Sequence, residues 1–575
     1  MKGFARSFLP FLCIPLAACF ISCVAGPRAV FQEPGIWSGS PLVTTRFGAV
    51  GAREDAEQTW VWKAIPFARP PVGDLRWRAP REPQPWTGVR NPVSFSTACT
   101  QYSSVLPGII FGTEDCRYLN VWRPKGLDTG LPVYVWIHGG GNSIGSATTT
   151  SEYYGSSIAS RSHMVFVSIN YRLGPFGWFS SPALREGASP EDASGNYGTL
   201  DIIQSLKWVR QNIEAFGGDP GNVTIAGESA GGFNVLSLLI SPQAKDLFQR
   251  GISESGAAIT HGMDEADAKS RELLAQLLAR DRKVRTHPNG EVLAAAMSRE
   301  AIRAYLRSKD DREILLCYTT WAFGMIDNPA ILRDGFVIPE AGFDVLATGD
   351  YPSKVPLIIG SNKEEVKLFL LFSGAIPWRS ELYAAAAKYG SDLWKAAGVD
   401  EVARRLSAHA DQPPVYAYRF DWGAVDAQGN GPLPGNWGRK LGAFHSLDVP
   451  FFLGRDTLNG VMHLVLFTGQ NAPGRKALSG AMMKYVAQFA RTGNPNAQGT
   501  GPGTGRAEWM PWMNGPGAPK CILFNARGDS PEIAMSDTEL TDDAVMAEVK
   551  ADLAEPLRSR TLDFLSRSIL PSRVR

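Results

Sequence analysis

Apolar residues at Ile202, Ile203, Leu206, Val209, Ile213 and Phe216 recur at the spacing of one helix face. Gly217-Gly218 follows as a helix stop, and Asp219-Pro220-Gly221-Asn222 reads as a turn. The pattern then changes. Val223-Thr224-Ile225-Ala226 is short, apolar and β-branched, as a strand covered on both faces should be. Helical spacing returns at Phe233, Leu236, Leu239 and Ile240. Unbroken apolar runs predict further buried strands at Leu131–Ile137, at His163–Tyr171 (HMVFVSINY) and at Val355–Gly360 (VPLIIG). Strands alternating with helical segments predict an α/β fold built on a large, mostly parallel, doubly wound sheet.

Between the strand ending at Ala226 and the helix beginning near Phe233 stands Gly227-Glu228-Ser229-Ala230-Gly231-Gly232. Glycine costs backbone entropy, so its repetition around one serine predicts a turn too sharp for larger side chains. The stretch contains G-x-S-x-G between a strand and a helix, the context of a nucleophile elbow. A serine hydroxyl is a weak nucleophile at neutral pH, so it needs a base to take its proton and donors to hold the oxyanion it creates. His138-Gly139-Gly140-Gly141, at the end of the predicted strand Leu131–Ile137, has the form of an oxyanion loop. The N-terminus of the helix after Ser229 aims further backbone N–H groups at developing negative charge.

Together with the elbow and the glycine run, an ordered set of further motifs carries a family resemblance. These are Pro70-Pro71-Val72-Gly73-Asp74-Leu75-Arg76, Pro85-Trp86-Thr87-Gly88-Val89, Glu114-Asp115-Cys116-Arg117-Tyr118-Leu119-Asn120-Val121, Asn170-Tyr171-Arg172, Gly195-Asn196-Tyr197-Gly198 and Phe489-Ala490-Arg491-Thr492-Gly493-Asn494-Pro495. Over roughly residues 40 to 525 the chain closely resembles the type-B carboxylesterases, the esterase and lipase family that includes the cholinesterases. The resemblance implies an α/β-hydrolase fold with helical insertions after the nucleophile, and hydrolysis of carboxylic esters without a metal or organic cofactor. It also implies that Ser229 is the nucleophile, that Gly140, Gly141 and Ala230 supply the oxyanion-hole amides, and that Cys99 pairs with Cys116. Arg76 with Glu114, and Arg172 with Asp201, correspond to buried ion pairs, and Glu228 to a supporting residue beside the serine.

Seven histidines compete for the role of base. His138 belongs to the oxyanion loop, where the family's histidine is structural; His163, His261, His287, His409 and His463 read as surface or packed residues. His445, in Gly442-Ala443-Phe444-His445-Ser446-Leu447-Asp448-Val449-Pro450-Phe451, matches the family's base motif and follows Ser229 in the required order. An ordinary histidine base predicts loss of activity on acidification with a midpoint of roughly 6 to 7. The acid lies between serine and histidine in α/β-hydrolases and follows a core strand. Glu364 and Glu365, just after Val355–Gly360, both satisfy that. The family's asparagine-lysine-acid-acid run uses its second acid, which selects Glu365 and leaves Glu364 as a solvated charge.

Three departures from the family pattern matter. Asn142 replaces an aromatic after the glycines and predicts a more polar pocket beside the oxyanion hole. The Cys99–Cys116 loop holds no tryptophan, which argues against choline esters, because a quaternary ammonium needs an aromatic face. The segment from about Met263 to Trp321 matches nothing in the family and reads equally as a lid or as a surface excursion.

Composition narrows the rest. With 58 basic and 56 acidic residues among 575 there is no footprint for nucleic acid. Glycine and proline are scattered rather than gathered in a linker, so a single domain over residues 35–575 is expected. Lys2 and Arg6 precede an apolar run from Phe8 to about Val24 and then Ala25-Gly26-Pro27, the layout of an export signal over residues 1–25. Within it, Leu16-Ala17-Ala18-Cys19 has the form of a bacterial lipoprotein signal, which would tether the chain to a membrane through a lipidated Cys19; the other reading makes Cys19 one more small apolar residue. A secreted or periplasmic location follows, and there a Cys99–Cys116 bond would be worth about 3 kcal/mol of chain entropy. Cys317 and Cys521 read as buried thiols. The expected activity is therefore a secreted serine carboxylesterase acting on a small-molecule ester. Its rival is a catalytically inactive, cholinesterase-like binding or adhesion protein.

Overall fold

Strand formation follows the apolar runs. In the computed structural model, which describes residues 29–148, 150–496 and 507–567, all seven residues of Leu131–Ile137 and all five of Val165–Ile169 are buried. A strand covered by helices on both faces has no polar side to alternate with, so it reads as an unbroken apolar run. The export signal expected over residues 1–25, Cys19 included, lies outside the described residues. Among those described, no helix is long and apolar enough to cross a membrane.

Eleven strands form the main sheet: β1 (Arg53–Asp55), β2 (Thr59–Pro66), β3 (Tyr118–Pro124), β4 (Leu131–Ile137), β5 (Val165–Ile169), β6 (Gly218–Glu228), β7 (Arg250–Glu254), β8 (Leu357–Asn362), β9 (Val415–Phe420), β10 (Cys521–Arg527) and β11 (Ser530–Ser536). Their spatial order is β11-β10-β9-β8-β7-β6-β4-β5-β3-β2-β1. From β10 to β5 every neighbouring pair is parallel. The outer pairs, β5 with β3, β3 with β2, β2 with β1 and β10 with β11, are antiparallel. The mostly parallel α/β sheet expected from the sequence is thus present.

Three boundaries differ from expectation. β8 begins two residues late and continues through Ser361 and Asn362, which pair with Arg419 and Phe420. His163 does not open β5; it caps the preceding helix in the left-handed conformation at φ 52°. The turn read at Asp219–Asn222 is an irregularity inside β6, between Gly218 and Val223, where the Asp219 carboxylate accepts the Gly221 N–H.

The helices that matter for the site are α1 (Tyr197–Asn212), α2 (Ala230–Ile240), α3 (Met263–Arg280), α4 (His287–Ala296), α5 (Arg299–Arg307), α6 (Asp311–Leu315), α7 (Lys367–Ser373), α8 (Glu381–Lys395), α9 (Ala472–Thr492), α10 (Asp542–Asp552) and α11 (Leu557–Arg567). The apolar faces of α3, α5 and α6 build a core of their own against Trp77, Tyr102, Phe176 and Tyr197. Of the unmatched segment 263–321, only Thr320 and Trp321 reach the cavity described below. Cys99 and Cys116 are disulfide-bonded. Arg76 pairs with Glu114, and Asp201 accepts from both Arg172 and Arg117. Of the two free thiols, Cys521 is buried as expected, whereas Cys317 is half-buried.

Candidate active site

β6 ends at Glu228 and α2 begins at Ala230, so Ser229 alone makes the turn, at φ 57° and ψ −123°. A left-handed serine stores roughly 1–3 kcal/mol of strain and persists only where its surroundings over-determine it. Here Ser229 N–H donates to the Glu254 carbonyl at 2.9 Å, while its own carbonyl accepts from Phe233 at 3.0 Å. The need for small neighbours is steric: a Cβ on Gly231 would stand 2.0 Å from the Ile137 carbonyl oxygen of β4. Ala230 is the first residue of α2, so its N–H has no intrahelical partner.

Gly140 and Gly141 stand just beyond the end of β4, at φ 105° and 61°. A Cβ on Gly140 would come within 2.3 Å of the Ile144 carbonyl oxygen, because that loop folds back on itself: Ser143 and Ile144 both donate to the Gly140 carbonyl. Gln101 braces the loop from the disulfide segment, accepting from Gly145 N–H at 2.6 Å and donating to Gly145 O at 2.8 Å. His138 is buried and stacked on Tyr171, and burial lowers its pKa to about 4. It is a neutral ring supporting the loop.

His445 and Glu365 meet across the site, with Nδ1 2.6 Å from Oε2. Glu365 is fixed in turn, since its Oε1 accepts from the Ser255 hydroxyl at 2.5 Å and from Asn362 N–H at 2.7 Å. The imidazole packs against the rings of Phe369 and Trp394, at 5.0 and 5.1 Å, and these two rings stack on each other at 6.1 Å. His445 and Glu365 thus meet at the edge of the sheet where β8 ends, and the serine turn at the end of β6 is brought beside them by Glu228, the residue before Ser229, whose carboxylate stands 3.1 Å from His445 Nε2. Glu364 is not the solvated charge expected: it pairs with Lys367 and accepts Ala443 N–H at 2.9 Å, because the loop carrying His445 folds over it.

Glu228 has a larger part than its place beside the serine suggested. Its Oε1 lies 3.1 Å from His445 Nε2 and accepts from Ser446 Oγ at 2.6 Å. Burial opposes charge on His445, yet Glu228 and Glu365 outweigh it and raise the pKa from 6.5 to about 9. The ordinary-histidine expectation is therefore displaced upward by two flanking carboxylates. Burial in turn lifts Glu228 to about 7 and Asp448 to about 6, and holds Glu254 well above the usual carboxylate range. Asp448 accepts from Tyr418 Oη and Asn362 Nδ2, away from the imidazole. Nothing in the local sequence around Glu228, Ser255 or Ser446 marked these contacts; only the sheet edge brings them together.

Beside this group lies a cavity of about 890 Å³. It touches Gly141, Phe233 one helical turn past Ser229, and Phe369, and its remaining aromatic lining comes from Trp321, Phe323, Phe372 and Phe564. Asn142 does line this cavity, with Thr320, Asp327 and Asn328, within a mainly apolar wall. Asn142 turns its amide inward, accepting from Asn234 at 2.9 Å and from Tyr171 Oη at 3.3 Å.

The carboxylesterase family model matches residues 39–396 and 379–527. The chain is 33% identical over 485 residues to the para-nitrobenzyl esterase of Bacillus subtilis (strain 168), covering 80% of this chain and 91% of that protein. It is 32% identical over 537 residues to carboxylesterase 1D of Rattus norvegicus, covering 81% and 87%. A solved carboxylesterase of Geobacillus stearothermophilus superposes with a TM-score of 0.65 at 28% identity, covering 86% of this chain and 98% of that one. The sheet order, the serine turn and these likenesses agree on an α/β-hydrolase fold, and the chain belongs to the carboxylesterase family as a carboxylic ester hydrolase.

Proposed function

We propose that this protein is an exported serine esterase, with one catalytic domain over residues 35–575, in which Ser229, His445 and Glu365 form the catalytic triad. The observation that carries the reading is the 2.6 Å contact between Glu365 and His445 in the same site as a serine held at positive φ on the strand–helix turn. Ser229 Oγ attacks the ester carbonyl carbon and its proton passes to His445 Nε2. The carbonyl oxygen, now an oxyanion, is held by the N–H groups of Gly140, Gly141 and Ala230. Collapse expels the alcohol, which takes the proton from His445 and leaves an acyl-Ser229 ester. Water then repeats the sequence, giving its proton to His445 and releasing the carboxylic acid. Glu365 orients the ring and offsets the charge of the imidazolium. No step calls for a metal or organic cofactor.

The aromatic cavity favours an ester with an apolar arm. Residues 1–25 act as the export signal, and the Cys99–Cys116 bond fits an oxidising compartment. The mass of the mature chain separates cleavage near residue 25 from lipidation at Cys19. For catalysis the test is Ser229→Ala: p-nitrophenyl butyrate hydrolysis and covalent labelling by an organophosphate should both vanish. Turnover surviving in that variant would overturn the assignment, and a wild-type chain that takes no label would favour the inactive binding protein.

A further inference from the structure

The family match ends at residue 527, yet the cavity beside the serine turn takes part of its wall from Phe564 on α11. We propose that Phe564 limits the length of ester arm the cavity accepts, so that a C-terminal segment outside the family match sets chain-length specificity. This rests on the reading of the cavity as the seat of one arm of the ester.

Helix α11 is held in a definite rotation. Thr561 and Leu565, one turn apart on the same face, are exposed by only 0% and 2%. Leu565 packs with Tyr389 and Leu393 of α8 and with Val545 and Val549 of α10. α10 is itself tied to α8 by Lys388 to Glu548 at 2.9 Å and by Tyr389 Oη to Asp552 at 3.0 Å. With that face anchored, Phe564 turns toward the cluster of Val366, Leu370, Tyr383 and Trp394 and into the cavity. Phe369 packs on the same cluster, and its ring stands 5.0 Å from His445. One apolar wall therefore runs from the imidazole to Phe564, and an ester arm following it meets the Phe564 ring. The ring is half-buried and packs on both this cluster and the one around Leu565, so shortening it removes some packing as well as lengthening the cavity, and the test below separates the two effects.

The test compares Phe564→Ala and Phe564→Trp with the unmodified chain on two series, p-nitrophenyl esters of acids from acetate to dodecanoate and acetates of alcohols from ethanol to dodecanol. Each further methylene lodged in the cavity is worth roughly fourfold. Phe564→Ala should therefore raise the long-to-short ratio of kcat/KM about tenfold or more in one series, and Phe564→Trp should lower it in that series. Opposite displacements are not produced by a general loss of folded protein. The same ratio is read without turnover from calorimetric binding of octanoate against butyrate, and of 1-octanol against 1-butanol, to the Ser229→Ala protein with and without each Phe564 change. Ratios within twofold of the parent in both series and in binding would overturn the proposal. A parent chain inert to every ester would instead strike the proposed catalysis, and the binding ratios would still decide the role of Phe564.

Discussion

Glu228→Gln keeps the size of the side chain and its hydrogen bond to Ser446 while removing the charge that faces His445. Two unit charges 3.1 Å apart interact by about 5 kcal/mol at an effective dielectric of about 20. The net effect is smaller, because burial lifts Glu228 itself to about 7 and the Ser446 hydroxyl takes part of its field. Even a quarter of that energy corresponds to about one pH unit. His445, raised to about 9 by Glu228 and Glu365 against burial, should therefore fall by at least one pH unit in the variant.

The sign follows from the role of the ring. Neutral imidazole is the base, so activity in the parent should climb with pH through a last midpoint near 9 and level off only above it, in two coupled steps shared by His445 and Glu228. Glu228→Gln should show one simple step at lower pH. Relative to its own plateau it should keep about tenfold more kcat/KM at pH 6 than the parent does, although the plateau falls because the imidazolium loses a partner. Folding raises the His445 pKa, so its stability contribution is complete below about 6.5 and lost as pH rises through about 9. That decline should be shallower in the variant. A pH-stat assay with p-nitrophenyl butyrate from pH 5 to 10, with chemistry limiting, reads the kinetic limb. A limb that stays in place, or moves to higher pH, would refute the reasoning.

Glu365→Gln should reduce kcat by up to about 10⁴-fold at pH 8, whereas Glu364→Gln should stay within about tenfold; the reverse ranking in steady-state kinetics would exchange the two acids. Replacing Cys99 and Cys116 by serine, a bridge with a sequence separation of 17, should lower unfolding free energy by about 3 kcal/mol in urea titrations. Gly231→Ala should abolish activity and lower Tm, since its Cβ would fall 2.0 Å from the Ile137 carbonyl oxygen; circular dichroism melts and esterase assays check both. Glu254 is buried and its carboxyl oxygens have no hydrogen-bond partner among the described residues. Burial holds its pKa well above the unfolded 4.5, so the unfolded chain ionises at this carboxyl before the folded one does. That costs stability as pH rises above about 4.5, by up to about 1.4 kcal/mol per pH unit until the folded carboxyl itself ionises, so the Tm gain of Glu254→Gln over the parent should be larger at neutral pH than at pH 5. A gain that does not change with pH would show that Glu254 is ionised in the folded protein.

What could be read from the sequence and what could not divide by the range of the interactions. Leu131–Ile137 was legible because covering both faces of a strand removes every polar position from it. The serine turn was legible because its demand for small residues arises among near neighbours and one adjacent strand. Edge strands such as Arg53–Asp55 carry no such pattern, since their side chains are partly solvated. Glu364 looked solvated because the partner that binds it, Ala443, is separated from it by 79 residues, and Asn234, which fixes the amide of the cavity-lining Asn142, lies 92 residues away. The electrostatics of His445 depend in the same way on Glu228, whose anchoring hydroxyl on Ser446 is 218 residues away. The motifs therefore locate the chemistry, while the working pH of the base and the length of the cavity arise from long-range packing, with Glu228 governing one and Phe564 the other. Both residues can be altered while the serine, the histidine and Glu365 are themselves retained. Reactivity and selectivity are thus separable by single substitutions, and each can be measured while the other is held constant.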